Sequence, residues 1–147
     1  GATFAQDSMR DWFIESSVSS IPGTEEEIIA TLGQADSVVR LPSASDRDPM
    51  SFDTIIEAYY PGLNMSILKV GENETLQSIW VADTTYITGP ITIGADTTTL
   101  RRLLGPPMLF GERPGYVCGM CSVLNESVRF DLMGGKVTGM LFTFPGG

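Results

Sequence analysis

The sequence predicts an α+β fold: a short helical segment packed on an antiparallel four-stranded sheet, with this unit repeated in tandem. Three observations support the prediction. The stretch 91–105 matches the stretch 19–33 at one constant offset. Both stretches read as a capped helix that stops at a glycine. Runs rich in β-branched and aromatic residues follow each helix, separated by turn residues. The two repeats are placed at 8–83 and 84–147.

The first helix is predicted over 8–14. Ser8 stands three residues before Asp11, which is the spacing of a capping box. Helical periodicity then places Trp12 and Phe13 on one side of the helix. We expect this short helix to cover an edge of the core.

The second and third helices are predicted at matched positions of the two repeats. Thr24 and Asp96 are N-cap residues, whose side chains can accept hydrogen bonds from the first turn of a helix. Gly33 and Gly105 supply the left-handed conformation that commonly ends a helix. Helices this short are unstable in isolation, so we expect each of them to pack on a sheet.

The remaining regular segments are predicted to be strands because they are rich in valine, isoleucine, threonine and aromatic residues. Turns at Gly71 and at Gly134-Gly135 indicate hairpins and therefore antiparallel order. The predicted strands are 37–41, 54–60, 64–70, 75–81, 108–110, 116–120, 127–132 and 136–144.

Composition narrows the classes of function. The chain of 147 residues carries 9 basic and 18 acidic residues, a formal net charge of −9, and no histidine. Such a charge repels nucleic acids and anionic membrane surfaces. Without histidine, the commonest general base and the commonest metal ligand are missing. We therefore expect no enzyme activity, no catalytic residues, no cofactor and no metal.

Carboxylates are the one abundant reactive group, and their positions favour ordinary roles. The glutamates at 25–27 fit the first turn of a capped helix, where the helix dipole favours negative charge. Asp46, Asp48 and Asp53 cluster near a long polar loop, but they do not form a calcium-binding motif. A carboxylate hydrolase would need two acids facing each other across a cleft, and no such pair is evident.

Cys118 and Cys121 stand in the sequence VCGMCS. A structural disulfide or two unreactive thiols are both compatible with this spacing. A catalytic redox pair would need the amino terminus of a helix beside it, whereas the surrounding residues indicate strand and turn.

The start of the chain, GATFAQDS, resembles what remains after a signal peptide or a lipoprotein leader has been removed. A disulfide would suit an oxidising compartment. No apolar run reaches the roughly 20 residues needed to span a bilayer. We expect an extracytoplasmic protein, periplasmic, envelope-bound or secreted, without a membrane span in this sequence and compatible with a lipid anchor ahead of it.

The segments ITIGADTTTLRRLLGPP (91–107) and GKVTGMLFTF (135–144) resemble the entry, helix and last strand of a β-lactamase inhibitor protein repeat. The chain more distantly resembles the small lipoproteins of the bacterial outer-membrane assembly machinery, which carry one copy of a similar unit. The resemblance implies a concave surface, formed by two sheets, that grips another protein through aromatic and polar side chains. On that surface the candidate binding residues are Glu57, Tyr59, Trp80 and Tyr116.

The function expected from sequence is therefore a non-enzymatic extracytoplasmic protein-binding or envelope-assembly module whose partner is another protein. The alternative is a small-ligand or carbohydrate-binding domain, in which the same aromatic side chains would stack on the ligand.

Overall fold

The structure is a computed structural model that describes residues 1–45, 47–48, 50–121 and 125–145. Its helices are α1 (Phe4–Ser16), α2 (Glu25–Leu32), a 3₁₀ turn (Thr84–Tyr86) and α3 (Thr97–Leu104). Its strands are β1 (Ser37–Ala44), β2 (Phe52–Tyr60), β3 (Leu63–Val70), β4 (Asn73–Val81), β5 (Met108–Phe110), β6 (Arg113–Val117), β7 (Ser127–Met133) and β8 (Lys136–Thr143).

All eight strands belong to one antiparallel sheet, in the order β1-β2-β3-β4-β8-β7-β6-β5. Strand β4 pairs with β8 from Ser78 opposite Thr143 to Val81 opposite Met140. The predicted fold, two repeats each with its own four-stranded sheet, is therefore wrong. The pairing of β4 with β8 satisfies two backbone edges that separate sheets would leave open, and so joins the strands into one sheet.

The three helices contribute to a single hydrophobic core on one face of this sheet. Phe13 of α1 is fully buried, and its ring lies 6.1 Å from the ring of Phe130 and 5.8 Å from that of Phe142. Ile28 of α2 and Leu104 of α3 belong to the same cluster. The core therefore runs continuously beneath all three helices. No helix in the described part of the chain is long and apolar enough to cross a membrane.

The amino-terminal ends of two of the three α-helices lie where the sequence predicted them. Thr24 and Asp96 cap α2 and α3 as expected, each accepting a hydrogen bond from a first-turn amide. Helix α1 begins earlier than predicted, with a capping box formed by Thr3 and Gln6. The expected box at Ser8 is wrong because the Asp11 carboxylate binds a distant loop instead of the helix backbone.

Candidate binding surface on the open face of the sheet

No helix in the described part of the chain covers the side of the sheet opposite α1, α2 and α3, and we call this side the open face. Residues paired directly across antiparallel strands point to the same side. On this side one row crosses five strands and consists of Tyr59, Asn64, Trp80, Leu141 and Arg129. All five side chains are half-buried. Because neighbouring strands lie about 4.8 Å apart, the row spans roughly 19 Å.

Trp80 lies flat on the sheet and is held in place. A β-carbon added at Gly139 would lie 3.1 Å from Nε1 and 3.3 Å from Cε2 of Trp80, so the indole covers this glycine. Nε1 of Trp80 donates a hydrogen bond to Oδ2 of Asp131 at 3.1 Å. Oδ1 of Asp131 forms an ion pair with Nε of Arg113 at 2.7 Å. The indole is thus fixed both by packing and by a carboxylate that is itself held.

A second aromatic ring covers a second glycine on the same face. A β-carbon at Gly115 would lie 2.7 Å from the Phe110 ring. The guanidinium carbon of Arg129, directly opposite Gly115 in the register, lies 6.0 Å from the centre of that ring. This distance is within the range of a cation–π contact. The two glycines therefore create room for two flat rings on either side of Arg129.

Tyr59 and Glu57 lie on the same side of β2, as the alternation predicted. The hydroxyl of Tyr59 donates a hydrogen bond to Oε2 of Glu57 at 2.7 Å. This hydrogen bond, together with burial and the carboxylate charge, raises the pKa of Tyr59 above its usual value. The tyrosine is therefore neutral at physiological pH and presents a fixed ring.

Tyr116 does not belong to the open face, which corrects its assignment to the same surface as Tyr59 and Trp80. It is only 3% exposed, and its ring meets that of Phe130 edge-on in the core. Its hydroxyl donates to the carbonyl oxygen of Gly105 at 2.8 Å, and burial raises its pKa to about 12. By strand alternation its neighbour Gly115, which pairs with Arg129, lies on the open face instead.

Cys118 and Cys121 form a disulfide, one of the two structural states that the sequence left open. The backbone amides of Gly119 and Met120 within its loop donate to the Asp11 carboxylate at 2.9 and 3.0 Å. Burial alone would raise the pKa of Asp11, but the hydrogen bonds from Arg10 and from these amides outweigh it and lower the pKa. The loop is thereby fastened to α1.

The surroundings of the disulfide are acidic. Carboxylate oxygens of Glu15 and Glu126 and the sulfur of Cys121 lie within 4.8 Å of one another. Negative charge at this distance would disfavour a thiolate, which argues against a redox-active pair. Because the sulfur is held in the disulfide, two carboxylates remain as metal ligands, far fewer than the six to eight oxygens that calcium takes.

Glu126 is the more unusual of the two acids. It is 5% exposed, and its Oε2 has no hydrogen-bond partner among the described residues. Burial raises its pKa, and the charge of Glu15 adds to the effect. The acids near the long loop have ordinary roles: Asp48 accepts a hydrogen bond from a loop amide and Asp53 pairs with Arg47 at 3.9 Å. Asp46 lies outside the described residues.

Two depressions open beside Asp131. The larger has a volume of about 350 Å³, and its lining includes Glu112, Arg113 and Asp131. The smaller has a volume of about 140 Å³ and is lined by Trp80, Arg113, Arg129, Asp131 and Leu141; we call it the Arg129 pocket. Sequence reasoning identified Trp80 but missed Arg129 and Asp131. The alternation of β7 could have placed these two residues together on one side of the strand.

Comparison with known proteins adds one structural likeness. No protein-family model matches the chain, and no curated protein matches it by sequence. The fold is similar to that of an extracellular protein. That protein, from Bacillus anthracis str. Ames, contains a SCP domain, and its crystal structure matches with a TM-score of 0.54 at 9% identity. The match covers 88% of this chain but 46% of that one, so the chain spans less than half the length of its structural neighbour. At this identity the likeness concerns the fold alone.

Proposed function

We propose that this protein is a non-enzymatic binding module that docks a partner protein on its open face. The observation that carries the proposal is the row from Tyr59 through Trp80 to Arg129, half-buried and uncovered by any helix. Tryptophan, tyrosine and arginine are the residue types that most often dominate the binding energy of protein interfaces.

The fixed geometry of the row also favours binding. Trp80 is held by Asp131, and Tyr59 is held by Glu57. Side chains that are already ordered lose little conformational entropy when a partner binds. This ordering supports an interface role over a purely solvated surface.

We further propose that the protein works outside the cytoplasm, in an envelope or secreted setting. The disulfide between Cys118 and Cys121 supports this, because disulfides persist chiefly in oxidising compartments. The structural neighbour is itself described as extracellular. An assembly role in the cell envelope is compatible with both observations.

The test is capture of a partner by matched variants. Wild-type protein is immobilised and exposed to an envelope extract or culture fluid of the source organism. Trp80→Ala and Tyr59→Ala should each reduce the recovery of a specific protein at least tenfold. Phe4→Ala is the control, since Phe4 is 87% exposed on α1 and lies outside the row. Equal recovery by all variants would exclude the open face as the binding surface.

A carbohydrate or small-ligand domain is the second candidate. The depression of about 350 Å³ falls within the usual size range of ligand sites, and Trp80 offers a flat ring beside it. Titration with a panel of envelope saccharides, followed by the indole N–H signal of Trp80, separates the two candidates. Saturable shifts with a saccharide favour this candidate, and their absence across the panel counts against it.

A further inference from the structure

Arg129 is a cation on the open face that has no ion pair within the described residues. The chain has twice as many acidic as basic residues, yet the guanidinium of Arg129, a half-buried residue, forms no ion pair and donates no hydrogen bond within the described residues. The guanidinium lies over the ring of Phe110 instead. A guanidinium carries five N–H donors, and burying them without acceptors is unfavourable.

The carboxylate of Asp131 lines the same pocket, but it is held by two other donors and forms no ion pair with Arg129 in the described part of the chain. Oδ1 of Asp131 is taken by Arg113 and Oδ2 by Trp80. Both oxygens are therefore engaged with other donors, while Arg129 lines the same small pocket. The pocket thus combines one satisfied acid with two guanidinium groups, and its local charge is opposite to that of the whole chain.

We propose that the Arg129 pocket binds one carboxylate group, supplied by an aspartate or glutamate side chain of the partner protein. Arginine recognises carboxylates through paired N–H donors. The volume of about 140 Å³ suits the end of an acidic side chain, and Leu141 and the Trp80 indole provide apolar walls for its methylene groups. This inference rests on the proposed function, because it names the chemistry of the contact at the same surface.

Charge complementarity selects this occupant. A net charge of −9 repels a broadly acidic partner, and a phosphate would bring a second negative charge close to Asp131 and Glu112. A single carboxylate is balanced by one guanidinium. We therefore expect an isolated acidic side chain at the centre of the partner's interface.

The pocket can be tested without the partner. Uniformly ¹⁵N-labelled protein is titrated with propionate, and with propionamide as the uncharged analogue of the same shape. The indole N–H signal of Trp80, identified by its loss in Trp80→Phe, is the readout. Propionate should shift this signal saturably at millimolar concentrations, whereas propionamide should leave it in place.

Variants establish which residue is responsible. Arg129→Gln should weaken propionate binding at least tenfold while the rest of the spectrum shows an intact fold. Arg129→Lys should retain part of the binding, because the charge remains but the planar fork is lost. Arg102→Gln, which removes an exposed charge from α3, should bind as wild type does. Equal shifts with propionate and propionamide, or binding unchanged in Arg129→Gln, would overturn the proposal.

The two proposals fail separately. If propionate binds through Arg129 but partner capture does not depend on Trp80 and Tyr59, the affinity of the pocket for a carboxylate stands, and its assignment to a partner side chain is overturned together with the open-face interface. If capture depends on those residues but propionate does not bind, the interface stands and the pocket is overturned.

Discussion

The hydroxyl of Tyr116 donates a hydrogen bond to the carbonyl oxygen of Gly105, at a distance of 2.8 Å. Tyr60 makes the same contact with Gly33, also at 2.8 Å. The two glycines end α3 and α2 with φ angles of 85° and 84°. Carbonyls at a helix carboxyl end lack partners within the helix, and a buried tyrosine supplies one in each half of the sheet.

Replacing Tyr116 with phenylalanine should lower the free energy of unfolding by about 1 kcal/mol at pH 7, because the carbonyl of Gly105 loses its donor in a buried place. Burial raises the pKa of Tyr116 to about 12, so the folded protein keeps this proton more tightly than the unfolded chain does. The resulting stability is complete below pH 10 and is lost as the pH rises towards 12. In urea unfolding between pH 8 and 12, the free energy of unfolding should fall less steeply with pH in Tyr116→Phe than in wild type. If the free energy of unfolding fell equally steeply with pH in both proteins, Tyr116 would not be the source of the alkaline loss.

Glu126→Gln should stabilise the protein at neutral pH. Burial and the charge of Glu15 raise the pKa of Glu126, so its carboxyl favours the folded state below about pH 4.5 and this contribution is lost as the pH rises. The variant should therefore be more stable than wild type at pH 7, and the difference should shrink towards pH 4. Urea unfolding at several pH values measures this difference in stability. Glu72→Gln is the control, because Glu72 is exposed. A variant less stable than wild type at pH 7 would contradict the view that Oε2 of Glu126 is buried without a hydrogen-bond partner.

Loss of the disulfide should reduce stability without altering the open face. Cross-linking Cys118 to Cys121 closes a short loop, for which chain entropy gives about 2 kcal/mol. The double serine variant and reduced wild type should show the same loss in chemical unfolding. Trp80 should keep its indole N–H signal, because Asp131 still holds it. A displaced signal would show that the loop supports the binding surface after all.

Gly139→Ala should disturb Trp80 selectively. The new methyl would lie 3.1 Å from Nε1 of the indole and 3.1 Å from Oδ2 of Asp131, so the ring must move by a few tenths of an ångström. We expect a shifted indole signal, weaker partner capture and a stability loss of about 1 kcal/mol. Gly23→Ala is the matched control, since nothing lies within 4 Å of its added methyl. Unchanged spectra in both variants would show that the indole does not cover Gly139.

Local signals in the sequence predicted local structure well. The caps at Thr24 and Asp96 and the glycine stops depend on residues within one helical turn, so they can be read directly. The strands were also found, although 116–120 was misplaced: β6 ends at Val117, where the disulfide loop begins. Tyr116 was put on the wrong face because a short mixed strand does not show which of its two sides is buried.

What the sequence determined by itself was most of the helices and strands, the caps of α2 and α3, the hairpin turns, the cysteine pair and the supply of aromatic side chains. The tertiary structure decided that β4 pairs with β8 and therefore that there is one sheet and one open face. It also decided that Arg129 meets Phe110 and that Asp131 holds Trp80. These contacts join residues far apart in the chain. Several strands distant in the sequence can offer a free edge, and the side-chain pattern of one strand does not specify which of these edges it pairs with.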